Sequence, residues 1–364
     1  MPKSAYIHIP FCRSKCHYCS FVSFNKLKQK DDYLKALFCE IEESYQNEVL
    51  NTIYLGGGTP SVLEISDIYR ILRKLNFNSN TEITVECNPD DVNYGYLRAL
   101  YDIGVNRLSF GCQTFNDEIL LKINRRHNAG QVIDAVKTAQ DAGFNNLSLD
   151  FIYGLPEQTQ DMFLRDLTRA GELGVPHISL YGLKIEEGCY FASHLPQNLS
   201  DDDLQADMYL AAIELLNGRG FEHYEVSNFS RRGFNSRHNL TYWNNDEYYG
   251  FGVAAHGYVN GVRYGNLETL EEYIQEPCRK NESKLLTLQE KLEEEIFLGF
   301  RRMRVGVNVE QINVKYGIDF ENQYHDILKK YENLNLIKKT PKGYVFTPNG
   351  VLVSNVILSE FVSV

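Results

Sequence analysis

From residue 4 to about 190 the sequence keeps returning to a short apolar run of β type followed by a longer amphipathic stretch, and few folds accept that alternation. The runs read SAYIHI, NTIYLGG, EITVECN, NRLSFGCQ, NLSLDFIYG and HISLYGL. Between them lie segments such as YLKALFCEIEESY, ISDIYRILRKL and GQVIDAVKTAQDAGF, whose apolar residues recur three and four apart, as one buried helix face requires. Strands joined by helices of this length pair in parallel, because each helix carries the chain back to the start of the next strand. Six such units fall short of a complete eight-unit barrel. The expected fold class is therefore α/β, either a partial (β/α)6 barrel or an open doubly wound sheet, and in both the ligands belong at the carboxyl ends of the strands.

The pattern changes twice further on. After a helix at SDDDLQADMYLAAIELLNGRG comes a Gly- and aromatic-rich stretch, 221–266, with the short strands and turns of an accessory sheet. From about 285 the chain reads as helices, then a hairpin at LIKKTPKGYVFTPNG and a final helix, an order similar to a winged helix. The expected division is 1–220 for the barrel, 221–284 for the accessory sheet and 285–364 for the C-terminal helical domain. Ten basic and ten acidic side chains cancel in that last segment, which argues against a role in binding a phosphate backbone and for protein contact or a lid.

With 43% hydrophobic residues and 23% charged, the 364-residue chain can bury a full core, so a disordered or fibrous class is excluded. The net charge is -11 and no block of like charge appears, so the footprint of a nucleic-acid binder is missing. The acidic excess lies on helix faces such as LEEEIF and reads as solvated surface. The N-terminal MPKSAYIHIPFC turns polar and cysteine-bearing long before a spanning helix could form. The expected location is the cytoplasm, with any membrane contact peripheral. Eight cysteines, three of them within positions 12 to 19, suit metal-binding thiolates in a reducing compartment better than a disulfide scaffold.

Cys12, Cys16 and Cys19 have the spacing C-x3-C-x2-C and follow the first strand directly, where a cofactor of such a sheet would sit. Soft thiolates select zinc or iron–sulfur. Three cannot close a structural zinc site without a fourth ligand, for which His17 is the candidate within the loop, whereas a cluster with one open iron needs no fourth. Gly56, Gly57, Gly58, Thr59 and Pro60 follow the second strand, where missing Cβ atoms let backbone approach a ligand, or simply make a tight turn. Glu86 in VECNPDD ends the third strand. Gln113 in GCQTF, Arg125 in INRRHN and Asp150 in LDFIYGLP lie at or after later strand ends. His8 shares a strand face with Tyr6 and reads equally as a substrate contact or a hydrogen-bonded core histidine.

The run YIHIPFCRSKCHYCSF resembles the N-terminal signature of radical S-adenosylmethionine proteins of the oxygen-independent coproporphyrinogen III oxidase superfamily. The resemblance implies a radical-SAM partial barrel and a 4Fe-4S cluster on Cys12, Cys16 and Cys19 whose open iron takes S-adenosylmethionine. It further implies that Tyr6, Gly57, Gly58, Thr59, Glu86, Gln113, Arg125 and Asp150 line the pocket of that cofactor.

Two features divide this superfamily. The decarboxylating oxidases carry a further cysteine two positions after the third ligand and a longer segment before the tyrosine; this chain has Phe21 there, and five residues before Tyr6. Both departures resemble the HemW-type heme chaperones, which share the cluster and pocket and are thought to pass heme to apoproteins. His238, Asn239, Tyr242 and Trp243 in HNLTYW match the motif associated with heme binding in that branch. By chemistry alone an imidazole can ligate heme iron and aromatic rings can pack the macrocycle, but a histidine in an aromatic stretch is also a common structural element. The resemblance thus implies heme as ligand and heme-accepting apoproteins as partners. An oxygen-independent coproporphyrinogen III oxidase is the alternative, and a structural zinc protein with a winged-helix binding module is a third reading.

Overall fold

The computed structural model describes residues 1–362. Six strands, β1 (Ser4–Ile9), β2 (Thr52–Gly57), β3 (Glu82–Cys87), β4 (Arg107–Gln113), β5 (Asn146–Tyr153) and β6 (His177–Gly182), lie side by side in sequence order and pair in parallel throughout. The helices between them are α1 (Lys30–Ser44), α2 (Ile65–Leu72), α3 (Tyr94–Asp102), α4 (Asp117–Lys122), α5 (Ala129–Asp141) and α6 (Gln160–Glu172). Sequence marks their starts: Asn93, Asn116, Asn128 and Thr159 each accept a backbone N–H as N-caps, and Asn128 with Gln131 completes a capping box. This is the α/β, six-unit arrangement expected from the strand pattern.

Period-two alternation sorts each strand into two faces. Ile7, Ile53, Val85, Leu108, Leu149 and Ile178 are buried in one continuous core with residues of the surrounding helices, such as Leu37, Ile68, Leu97, Val136 and Leu167. The alternate positions are polar: Ser4, Tyr6 and His8; Thr52 and Tyr54; Glu82, Thr84 and Glu86; Arg107 and Ser109; Ser148 and Asp150; His177, Ser179 and Tyr181. Burying polar groups calls for partners, and most of these find one, Thr84 Oγ1 and Arg107 Nε excepted among the described residues, so the inner face is a hydrogen-bonded interior rather than an apolar plug.

The chain continues through α7 (Tyr190–Ser193) and α8 (Asp202–Gly218) to β7 (Glu222–Glu225), β8 (Asn228–Ser230), α9 (Arg237–Trp243) and β9 (Tyr249–Phe251). The 221–284 stretch does not form one separate sheet. β7 and β8 extend the main sheet antiparallel beyond β6, and β9 pairs in parallel beside β1, giving nine strands in the order β7-β8-β6-β5-β4-β3-β2-β1-β9. Only β10 (His256–Val259), β11 (Val262–Asn266) and β12 (Lys280–Leu285) make an independent antiparallel sheet, with α10 (Leu270–Gln275) between the last two. Open sheet edges recruit further strands, and both edges of the six-strand sheet did so here.

α11 (Leu288–Phe300) opens the C-terminal region with a Thr287/Glu290 capping box. β13 (Val307–Asn308), α12 (Val309–Tyr316), α13 (Phe320–Gln323), α14 (His325–Asn333), β14 (Ile337–Thr340), β15 (Gly343–Phe346), α15 (Pro348–Leu352) and α16 (Ser354–Ser359) follow. The sheet order β13-β15-β14 contains the hairpin expected at LIKKTPKGYVFTPNG. Among the described residues no helix is long and apolar enough to cross a membrane.

Candidate cofactor site and the motif helix

A cavity of about 480 Å³ opens at the carboxyl ends of the six parallel strands. Its wall holds Cys12, Cys16 and Cys19 together with Gly57, Gly58, Thr59, Glu86, Gln113, Arg125 and Asp150, so residues spread over 139 positions of sequence converge on one space. Phe21 is 67% exposed and also borders the cavity.

The cysteine loop is anchored from several sides. Its backbone is tied by Cys12 N–H to the Phe24 carbonyl at 3.2 Å and by His17 N–H to the Ile123 carbonyl at 3.1 Å. The Cys12 thiol lies 3.3 Å from Thr59 Oγ1, and the Arg125 guanidinium donates to Cys16 Sγ at 3.3 Å. Burial pushes the Cys12 thiol up, and pushes Cys19 to about 11. A bound cation would reverse that by taking the place of the proton. His17 does not join the thiols: its Nδ1 pairs with the Lys122 carbonyl at 3.0 Å, and its ring stacks on Tyr190 at 4.2 Å. Among the described residues no group of three or more His, Cys, Asp or Glu stands at the spacing of a single-ion site. Three free, soft thiols in one loop are by their chemistry a donor set that fits an iron–sulfur cluster.

Behind the loop, Arg125 donates to Asn88 Oδ1 at 2.8 Å and the Gly111 carbonyl at 3.0 Å, joining the cysteine loop to the ends of β3 and β4. Glu86 accepts from the Tyr54 hydroxyl at 2.7 Å and from Gly57 N–H at 3.2 Å. Burial nevertheless raises its carboxyl to about 7, with the Tyr54 hydrogen bond opposing the shift. Asp150 accepts from Ser109 Oγ at 2.9 Å and Ser148 Oγ at 3.1 Å, and burial raises it as well. Gln113 sits in a strand irregularity opposite β5 with φ 62, left-handed backbone that a non-glycine residue adopts at a cost. Its buried Oε1 has no partner among the described residues. An orphaned amide oxygen, two half-buried carboxyls and a guanidinium beside three thiols suit a small polar cofactor held next to a cluster.

The glycine loop carries a second demand beyond ligand approach. A Cβ on Gly57, at φ +107, would fall 2.4 Å from the His8 ring, and one on Gly58 would fall 2.8 Å from the Ile9 carbonyl. His8 is a hydrogen-bonded core histidine: Nδ1 pairs with the Tyr6 hydroxyl at 3.0 Å and Nε2 with the Val22 carbonyl at 2.8 Å. Tyr6 does not line the cavity; it stacks on Tyr54 one layer below, at 6.1 Å.

The HNLTYW motif forms α9, and its contacts lie at the opposite end of the barrel from the cysteines. Its amides at Arg237 and His238 donate to Glu82 at 3.1 and 3.0 Å, and Thr241 meets Ser4 Oγ at 3.0 Å, so it packs on the first residues of β1 and β3. His238 is 1% exposed, with Nδ1 on Thr52 Oγ1 and Nε2 on the Tyr242 hydroxyl, both at 2.8 Å. Asn239 is half-buried, its N–H on the capping Ser236. Tyr242 and Trp243 line a groove of about 440 Å³ with Tyr248, Arg263, Glu294 and Phe297.

Sequence reading passed over Tyr54 and Asn88, although both carried a signal. Tyr54 sits two residues before Gly56, hence on the same strand face, and Asn88 directly follows the strand that ends on Glu86 and Cys87.

Residues 6–170 match the Radical SAM superfamily and residues 286–353 the HemN C-terminal domain. Among solved structures, the coproporphyrinogen III oxidase HemN of Escherichia coli, a radical SAM enzyme, superposes with a TM-score of 0.85 over 100% of this chain and 90% of its own, at 23% identity. That likeness concerns the fold. The heme chaperone HemW of Lactococcus lactis is 40% identical, covering 99% of this chain and 97% of its own. The heme chaperone HemW of Bacillus subtilis is 36% identical, covering 99% of each. At that identity along virtually the whole length, with the cysteine triplet and the α9 motif in place, the chain belongs to the HemW family within the radical SAM superfamily.

Proposed function

We propose that this protein is a heme chaperone that carries a 4Fe-4S cluster on Cys12, Cys16 and Cys19, binds S-adenosylmethionine beside it, and delivers heme to apoproteins in a reducing, cytoplasmic setting. The observation that carries the cofactor reading is the convergence of three thiols, Glu86, Gln113, Arg125 and Asp150 on one cavity. When bound, the cluster supplies one-electron chemistry and an open coordination position. The chain's own residues have separable tasks. Arg125 holds a positive charge against Cys16 and fixes the loop to β3 and β4. Glu86 presents a carboxyl to the amino or sulfonium group of the cofactor, and Gln113 and Asp150 offer acceptors to its polar remainder.

Heme is assigned to the outer side of α9, where Tyr242 and Trp243 offer aromatic surface and Arg263 a cation within the same groove. His238 faces inward and has both nitrogens engaged, so ligation by it would require α9 to leave the barrel. The segment 285–364 serves as a contact module for the recipient; its balanced charge supports this.

Anaerobically reconstituted protein titrated with heme should show a stoichiometric Soret shift and quenching of Trp243, the single tryptophan of the chain. Release of decarboxylated tetrapyrrole from coproporphyrinogen III under the same conditions, with no heme bound, would replace this reading by the oxidase.

A further inference from the structure

His238, Tyr54 and Glu86 form a continuous path through the barrel interior. The imidazole of His238 lies on the ring of Tyr54, with centroids 5.0 Å apart and planes at 26°. Burial pushes its pKa down to about 3, so the ring is neutral, and its two nitrogens are spent on Thr52 and Tyr242. Tyr54 rises from the same strand as Thr52 and reaches the next layer, where its hydroxyl donates to Glu86 Oε1 at 2.7 Å. Glu86 is the cavity residue of this path, and its second oxygen accepts from the Gly57 amide of the glycine loop. The carboxyl therefore has one side-chain donor, and the ring that carries that donor is packed by His238 on the α9 side and by Tyr6 at 6.1 Å.

We infer that His238 is a positioning residue for the cofactor cavity: by stacking on Tyr54 it fixes the hydroxyl that orients Glu86, and so links α9 to the opposite end of the barrel. This rests on the reading of Glu86 as the carboxyl that faces the cofactor. A hydroxyl donating to a carboxylate is a charge-assisted contact, and its strength depends on holding the phenol in one rotamer. Loss of the imidazole frees the phenol to turn away, leaving Glu86 with only the Gly57 amide. Because coupling between sites is reciprocal, a ligand that shifts α9 changes affinity in the cavity, and occupancy of the cavity changes affinity at α9.

The test uses full-length, anaerobically reconstituted protein and measures S-adenosylmethionine affinity by equilibrium dialysis, with the EPR spectrum of the reduced cluster recorded before and after addition. Tyr54→Phe and His238→Ala should each weaken binding about tenfold at unchanged iron content. The double variant should be no weaker than the weaker single variant within about twofold, as expected for residues acting in one path. His238→Phe, which keeps a ring on Tyr54, should recover most of the affinity and the wild-type EPR change. If His238→Ala does not yield folded protein, His238→Gln replaces it, keeping a hydrogen-bonding side chain without a ring. Additive losses overturn the inference, as does normal affinity in the His238 variant while Glu86→Gln still weakens binding. Normal affinity in Glu86→Gln itself removes the reading of that carboxyl, and the path with it.

Discussion

At Gly57 backbone geometry and cofactor site meet in one atom's width. The left-handed φ of +107 already favours glycine, and a Cβ would strike the His8 ring at 2.4 Å. His8 cannot move freely, since its Nε2 holds the Val22 carbonyl three residues past Cys19. Gly57→Ala should therefore lower the iron and sulfide bound per chain on reconstitution, with a stability loss of about 1–3 kcal/mol in denaturant melts. Ala at position 95 is the control, because Gly95 meets only the Asn93 side chain at 3.4 Å. The sequence offered a loop for ligand approach or a tight turn at these glycines; the room that Gly57 leaves for the His8 ring is a further demand. The histidine above Gly57 sits 49 positions away, and no local pattern couples the two.

At the scale of elements, the β7–β8 pair carries a buried acid of its own. Glu225, at the end of β7, is fully buried; Ser227 N–H donates to it at 3.0 Å, Asn228 donates to its other oxygen, and the charge of Arg301, just past α11, acts on it. Burial dominates and raises its carboxyl from 4.5 to about 7. A carboxyl whose folded value lies above the unfolded one binds more protons when folded, so its contribution is complete below about pH 4.5 and is lost as pH rises through about 7. Glu225→Gln should flatten the fall in stability across that window, a term on the order of 3 kcal/mol, as read from melting temperature against pH. His8, His223 and His238, pushed down to about 4, 4 and 3 by burial, act in the opposite sense, destabilising the fold as pH falls below their unfolded value of 6.5. The α9 motif was visible in the sequence, inside a stretch expected to give short strands; its helical form with Ser236 as cap came from the fold. So did its placement at the barrel's amino end, because that depends on β7, β8 and β9 joining the main sheet.

Across the whole molecule, Glu40 joins the barrel to the later strands. It is 0% exposed on α1 and accepts from Tyr273 at 2.6 Å, Lys280 at 2.7 Å, Asn266 at 2.8 Å and the Gly252 amide at 2.8 Å. Removing one member of such a buried set leaves the others unpaired, so Glu40→Ala should cost about 3–5 kcal/mol, with protection from proteolysis lost first around 250–285. The sequence by itself determined the six βα units, the capped helices, the C-terminal hairpin and the cysteine triplet after the first strand, because period, capping and spacing are local properties of a chain. Only the tertiary structure decided which strands the 221–284 stretch would give to the main sheet, that His8 and His238 turn inward, and that Tyr54 stands between α9 and Glu86. Those outcomes depend on open sheet edges and on burying a polar barrel interior whose groups find partners on other strands, conditions that residues far apart in sequence meet only together.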